Sequence, residues 1–189
     1  MNLPNVLTLL RVILIPVLVV VWFLPLSYAG ELAAAVFLLA SVTDWADGWL
    51  ARRWSQESAF GAFLDPVADK LMVATALVLL VDAFNSTWVT LAALIIIGRE
   101  IVVSALREWM AELGARGQVA VSWLGKVKTA TQMVAIMVCL AWPVGVYWMH
   151  PGLWILAGAA VLTVWSMWVY LRAAWPHIRP DTSGSSDRS

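Results

Sequence analysis

The chain has 189 residues, of which 62% are hydrophobic and only 13% are charged, and its formal net charge is zero. Soluble globular domains are about 45–50% apolar and about 25% charged, so this composition excludes an ordinary soluble domain and favours a chain folded in a lipid bilayer. The length fits one domain, which we expect to comprise residues 1–179. The Ser- and Asp-rich tail, residues 180–189, is expected to be a disordered cytosolic segment.

Apolar segments follow one another along the chain. Residues 2–10 are expected to form a short interfacial helix, and residues 12–30 form an uncharged run long enough to span a bilayer. Further apolar segments begin at residues 31, 60 and 88. The stretch between Lys128 and Arg172 contains no charged residue and is long enough for two more spans, separated by the Pro and Gly residues of 143–152. The pattern predicts an all-α polytopic membrane protein with six transmembrane helices.

The distribution of basic residues predicts the orientation of these helices. The turns expected on one side of the membrane, near residues 25–31, 82–88 and 144–152, contain no Lys or Arg. All twelve basic residues fall on the opposite side or near the helix ends that face it. Because Lys and Arg concentrate on the cytosolic side of membrane proteins, we expect both termini to be cytosolic.

Four aspartates, at positions 44, 47, 65 and 69, lie within or beside the second and third apolar segments. An ionised side chain near the middle of a membrane costs about 2.5 kcal/mol or more, so such acids are candidates for function. The members of each pair are three or four residues apart and therefore share one helix face. A short link joins the two helices, so both pairs are expected at similar depth near the cytosolic end. Converging carboxylates repel one another unless cations neutralise them, and an all-oxygen site favours Mg²⁺ or Mn²⁺ over Zn²⁺.

The sequence around these acids resembles a known family signature. Asp44-Trp-Ala-Asp47-Gly48-Trp-Leu-Ala51-Arg52 is followed by eight residues, Gly61, three residues, Asp65, three residues and Asp69. These residues fill all eight fixed positions of the signature of the CDP-alcohol phosphatidyltransferase family. The resemblance covers nearly the whole chain, and the six-helix membrane fold of that family agrees with the pattern of apolar segments.

The resemblance implies roles for the residues of the signature. Asp44, Asp47, Asp65 and Asp69 fill the positions that bind two divalent cations, Mg²⁺ or Mn²⁺, which hold the pyrophosphate of the CDP-linked lipid. Asp69 also matches the proposed general base. The resemblance also provides the candidates for contact with the CDP group, namely Gly48, Arg52, Ser58, Gly61, Asn5 and Thr8.

Stretches outside the signature narrow the resemblance. Pro4-Asn5, Gly98-Arg99-Glu100 and Gly125-Lys126-Val127-Lys128-Thr129 resemble bacterial family members that join CDP-diacylglycerol to sn-glycerol 3-phosphate and release CMP. This resemblance implies a homodimer in the bacterial inner membrane, surrounded by membrane lipids, with its active site on the cytosolic side. We expect no nucleic-acid partner.

A phosphorylated acceptor requires cationic side chains of its own. The candidates are Arg99, Lys126, Lys128 and Arg107, because Arg offers two parallel hydrogen bonds to a phosphate and Lys a point charge. Arg99 lies near the apolar part of its helix, where a residue that serves only to orient the chain would be badly placed. For Arg107, the orientation of the helix explains the residue equally well.

Two alternative functions remain open at this point. The basic residues alone do not distinguish glycerol phosphate from inositol phosphate, and phosphatidylglycerol is another acceptor within the same chemistry. A divalent-cation transporter would also use intramembrane acids. Such a transporter is expected to place its acids near the midplane and to repeat one half of the chain in the other, whereas here the acids cluster towards the cytosolic end and no repeat is evident.

Overall fold

The computed structural model describes residues 3–54, 59–114, 123–142 and 150–178, and within them the side chains of all residues except 3–5, 45, 47–54, 59, 60, 62, 123–126 and 176–178. All regular structure in these ranges is helical, which confirms the predicted all-α class. In chain order, the helices are α1 (Leu3–Trp22), α2 (Ala29–Trp54), α3 (Ala59–Phe84), α4 (Thr87–Glu112), α5 (Trp123–Ala141) and α6 (Pro151–Ile178).

The first helix differs from the prediction. The expected interfacial helix, residues 2–10, and the first apolar span form one continuous helix, Leu3–Trp22. Pro4 lies in the first turn, where its missing N–H group would have no partner in the helix, and no helix-breaking residue separates it from the apolar run. The helix continues through Pro16.

Two of the described helices are long and apolar enough to cross a membrane. These are Thr87–Glu112 and Pro151–Trp175, and Val6–Trp22 and Val127–Ala141 are shorter apolar helices. Helices α2 and α3 have 26 residues each, and several of their side chains lie outside the described part of the chain. The described residues form six helices, because the predicted interfacial helix is part of α1, and six membrane spans remain a prediction.

Short turns join α1 to α2 and α3 to α4. Residues 23–28 connect α1 to α2, and Asn85 and Ser86 connect α3 to α4. Asn85 has a φ angle of 42°, in the left-handed region that Asn tolerates better than most residues. The α3–α4 turn is therefore tight, and the two helices run antiparallel.

The apolar core ends where the acids begin. The main cluster of buried side chains is formed by α1 to α6 and includes Phe37, Leu77 and Ile136. On α2 its last buried residue is Ala40, one turn before Asp44, and on α3 it begins again at Met72, three residues after Asp69. Helix α1 packs against both α2 and α3. The candidate site therefore borders the core at one end of the bundle.

Candidate active site

Helix α1 contacts the aspartates of two different helices. Thr8 and Arg11 are three residues apart and share one face of α1, and both side chains are buried. The Arg11 guanidinium Nη1 lies 2.7 Å from Oδ1 of Asp44 on α2. The Thr8 hydroxyl donates a hydrogen bond to Oδ1 of Asp65 on α3. This arrangement fixes one carboxylate from each helix against the first helix.

The described aspartates lie close enough to interact electrostatically. Asp44 is repelled by Asp65 and by Asp69, and Asp69 is also repelled by Glu100 of α4. The buried Arg11 offsets part of this negative charge, and Asp44 keeps 44% of its side-chain surface exposed. Asp44, Asp65, Asp69 and Glu100 thus create a negatively charged region that is open to solvent at Asp44.

The chemistry of these donors fits a hard divalent cation, because all of them are carboxylates. Among the side chains that the structure describes, no three Asp, Glu, His or Cys residues converge closely enough to form a complete metal site. Asp47 is the fourth predicted ligand, and its side chain lies outside the described part of the chain. The backbone of Asp47 is part of α2, one turn beyond Asp44.

Glu100 holds two buried cations together on the other side of Asp69. Its carboxylate accepts a hydrogen bond from the Lys128 ammonium of α5 and lies 3.1 Å from the Arg99 guanidinium Nη1. Lys128 is 1% exposed and Arg99 is 7% exposed. Buried charges are tolerated only when paired, so Glu100 is the residue that allows both cations to remain in the interior.

Helix α6 holds the two arginines of α4. Nη2 of Arg99 donates to the Ser166 hydroxyl at 3.2 Å, and Nη2 of Arg107 donates to the Tyr170 hydroxyl at 2.8 Å. The guanidinium carbons of Arg99 and Arg107 also lie 5.6 and 5.1 Å from the centre of the Tyr170 ring, within the range of a cation–π interaction. Tyr170 itself is buried against Val103 and Met110.

A small cavity lies between α3, α4 and α5. Its volume is about 40 Å³, which is sufficient for water. Asp69 and Lys70 of α3 line one side and Glu100 of α4 another, and the remaining lining residues, from α3 and α5, are Val73, Thr129, Gln132 and Met133. The cavity therefore lies between the predicted general base and the acid that holds the buried cations.

The described residues bring part of the predicted site together. Eight predicted residues have described positions, namely Thr8, Asp44, Gly61, Asp65, Asp69, Arg99, Arg107 and Lys128. The predicted contributions of Asn5, Asp47, Gly48, Arg52 and Lys126 lie outside the described side chains, and Ser58 lies outside the described backbone as well. Gly61 is buried on α3, one turn before Asp65.

Sequence reasoning missed the residues that hold the cations in place. Ser166 and Tyr170 lie more than sixty residues after the arginines that they contact, on a helix without a recognisable motif. One signal was available, because Ser166 and Tyr170 are four residues apart and form a polar stripe on one face of an apolar helix.

Comparison with known proteins adds an independent finding. The model of the CDP-alcohol phosphatidyltransferase family matches residues 1–169. The sequence is 57% identical over 173 residues to CDP-diacylglycerol–glycerol-3-phosphate 3-phosphatidyltransferase of Salmonella choleraesuis strain SC-B67, with 92% of this chain and 94% of that protein covered. The proteins of the same name from Salmonella typhimurium strain LT2 and Escherichia coli strain K12 show the same identity and coverage.

Proposed function

The chain belongs to the CDP-alcohol phosphatidyltransferase family, and we propose that it transfers the phosphatidyl group of CDP-diacylglycerol to sn-glycerol 3-phosphate. The products are phosphatidylglycerophosphate and CMP. The observation that carries this proposal is the cavity lined by Asp69 on one side and by Glu100 with its two buried cations on the other. A carboxylate beside cations is what a substrate with both a hydroxyl and a phosphate requires.

The reaction needs one proton transfer and one exchange of bonds at phosphorus. Asp69 accepts the proton of the C1 hydroxyl of glycerol phosphate, and the oxygen attacks the phosphorus that carries diacylglycerol. The bond from that phosphorus to the oxygen of CMP breaks, and CMP leaves with the electron pair. The reaction needs no covalent enzyme intermediate, because the acceptor oxygen can attack that phosphorus directly.

The family uses divalent cations, and Asp44, Asp47, Asp65 and Asp69 would hold two of them, Mg²⁺ or Mn²⁺. Bound there, such ions supply positive charge that stabilises the pyrophosphate and the departing CMP. Thr8 and Arg11 orient Asp65 and Asp44 from α1. Residues that orient metal ligands typically contribute about 10- to 100-fold to affinity or activity.

The nucleotide and the acceptor occupy different sides of Asp69 in this proposal. The CDP group is contacted by Asn5 and Thr8 of α1, Gly48 and Arg52 of α2, Gly61 of α3, and Ser58. Residues of α4 and α5 bind the acceptor phosphate, namely Arg99, Arg107, Lys126 and Lys128. The burial of Arg99 and Lys128 supports this assignment, because cations that served only to orient the helices would lie at the surface.

The proposal places the protein in the bacterial inner membrane as a homodimer, with both termini and the active site on the cytosolic side. The basic residues of the sequence support the orientation. A cytosolic site gives direct access to a water-soluble acceptor, while the diacylglycerol chains remain in the bilayer.

The test is CMP release by the purified protein in detergent with Mg²⁺ and CDP-diacylglycerol. Release is expected only when sn-glycerol 3-phosphate is present, and EDTA is expected to abolish it. Inositol phosphate and phosphatidylglycerol serve as competing acceptors. Release with one of these and not with glycerol phosphate would replace the proposed acceptor, whereas Mg²⁺ flux into liposomes without CMP release would indicate a transporter.

A further inference from the structure

Gln132 is a buried residue with a side-chain amide, and it has no role in the proposed reaction. It lies on α5 and is 2% exposed. Its side-chain oxygen has no hydrogen-bond partner among the residues that the structure describes. A buried acceptor without a hydrogen-bond partner costs roughly 1–3 kcal/mol, so this oxygen requires an explanation.

The position of Gln132 provides that explanation. Gln132 lines the cavity between Asp69 and Glu100. It is four residues after Lys128, so the two side chains project from the same face of α5 on successive turns. The amide therefore lies beside the buried cations and shares the cavity with the carboxylate of Asp69.

The acceptor has one group that the mechanism leaves without a partner. In sn-glycerol 3-phosphate the C1 hydroxyl attacks, the C3 phosphate binds to cations, and the C2 hydroxyl lies between them. With the C1 hydroxyl at Asp69 and the phosphate at the cations of α4 and α5, the C2 hydroxyl between them would lie near Gln132, which lines the cavity with Asp69 and Glu100. An amide can donate and accept hydrogen bonds and therefore suits a hydroxyl.

We propose that Gln132 binds the C2 hydroxyl of the acceptor and thereby determines its specificity for a polyol phosphate. This inference rests on the proposed function. A site that is built to hydrogen-bond a hydroxyl rejects an analogue without it, because the buried amide then remains unpaired.

The experiment compares two acceptors that differ only in this hydroxyl. 3-Hydroxypropyl phosphate keeps the attacking hydroxyl and the phosphate of glycerol phosphate and lacks the C2 hydroxyl. The kcat/KM of CMP release is measured for each acceptor with the unmodified protein, with Gln132→Leu and with Gln132→Met. Met133→Leu is the matched control, because Met133 lines the same cavity and its thioether is at most a weak acceptor.

The unmodified protein is expected to prefer glycerol phosphate by about 10- to 100-fold, the range of one hydrogen bond to a buried group. Both Gln132 variants are expected to reduce this ratio to within about threefold, mainly by a lower kcat/KM for glycerol phosphate, while Met133→Leu retains it. Because a ratio is compared within each variant, a loss of folded protein does not change it.

Two results would overturn the inference alone, namely no preference in the unmodified protein or a full preference in the Gln132 variants. If the unmodified protein releases no CMP with glycerol phosphate, the proposed function fails and this inference fails with it.

Discussion

Asp69 is the residue on which the proposed chemistry depends most directly. It borders the cavity, and the charges of Asp44 and Glu100 act on it from two neighbouring helices. Asn has nearly the same shape as Asp but cannot accept a proton at neutral pH. We expect Asp69→Asn to lower kcat by about 10²- to 10⁴-fold, as is typical for the loss of a general base.

CMP release with saturating substrates measures this effect. Asp82→Asn is the matched control, because Asp82 lies on the same helix at the end away from the site. That variant is expected to keep full activity. An Asp69→Asn protein with unchanged kcat would rule out Asp69 as the base.

Tyr170 tests whether α6 positions the acceptor site. Tyr170→Phe keeps the ring beneath both guanidinium groups and removes the hydroxyl that receives the 2.8 Å hydrogen bond from Arg107. A bond of this kind contributes about 0.5–1.5 kcal/mol, so the KM for glycerol phosphate is expected to rise roughly 2- to 12-fold. The KM for CDP-diacylglycerol is expected to stay constant.

A purely structural role for Tyr170 would instead lower kcat or change both KM values together. Tyr28→Phe is the control, because Tyr28 is exposed in the turn between α1 and α2. Equal KM values for Tyr170→Phe and the unmodified protein would show that Arg107 does not depend on this hydroxyl for acceptor binding.

Among the six helices, α2 and α5 come together at a glycine. A Cβ atom at Gly30 would lie 2.6 Å from the backbone carbonyl oxygen of Leu140 on α5, too close for any side chain. A backbone atom cannot move aside as a flexible side chain can, so the helices would have to separate. We expect Gly30→Ala to reduce the free energy of unfolding by about 1–3 kcal/mol, the usual effect of overpacking.

Thermal unfolding in detergent measures this loss as a lower midpoint. Gly158→Ala is the matched control, because no atom lies within 4 Å of a Cβ atom built at that position of α6. There Ala is expected to leave the midpoint unchanged or raise it, since Ala favours a helix over Gly by about 1 kcal/mol. A lower midpoint for Gly158→Ala than for Gly30→Ala would contradict this packing.

The helices also show which of their properties can be predicted from the local sequence. The sequence predicted six apolar spans and a separate interfacial helix, residues 2–10, whereas the described part of the chain forms six helices. The predicted break between residues 10 and 12 was wrong, because Arg11 marks a change in polarity and not a change in backbone conformation. A single charged residue does not end a helix, and here Arg11 turns inward to Asp44 instead of towards water.

The orientation of the whole protein in the membrane can be tested on helix α4. Helix α4 has 26 residues, and at about 1.5 Å per residue it exceeds the roughly 30 Å of a hydrocarbon core. Thr87 and Glu112 lie at its opposite ends, and both are exposed. We expect Thr87→Cys to react with a membrane-impermeant maleimide in intact cells and Glu112→Cys to react only after the membrane is opened.

The native Cys139 provides the background for this measurement, because it is fully buried and is expected not to react. In inverted membrane vesicles the result is expected to be reversed: Glu112→Cys reacts directly, and Thr87→Cys reacts only after the membrane is opened. If Glu112→Cys is labelled in intact cells, the active site faces outwards and the predicted topology is wrong.

The amino-acid sequence was sufficient to predict the class of the fold and the family. These properties depend on local features: the length of apolar runs, and eight residues at fixed spacing between Asp44 and Asp69. It also identified the acids and cations as candidates, because charges in apolar helices have few explanations other than function.

Which side chains contact one another depends on the tertiary structure. The pairs of Arg11 with Asp44, Lys128 with Glu100 and Arg107 with Tyr170 join different helices, and the place of Gln132 in the cavity depends on the packing of α3, α4 and α5. A helix that is apolar on all sides carries little information about which face turns inward. Contacts between such helices are therefore set by the fit of their surfaces, which no single segment of the chain contains.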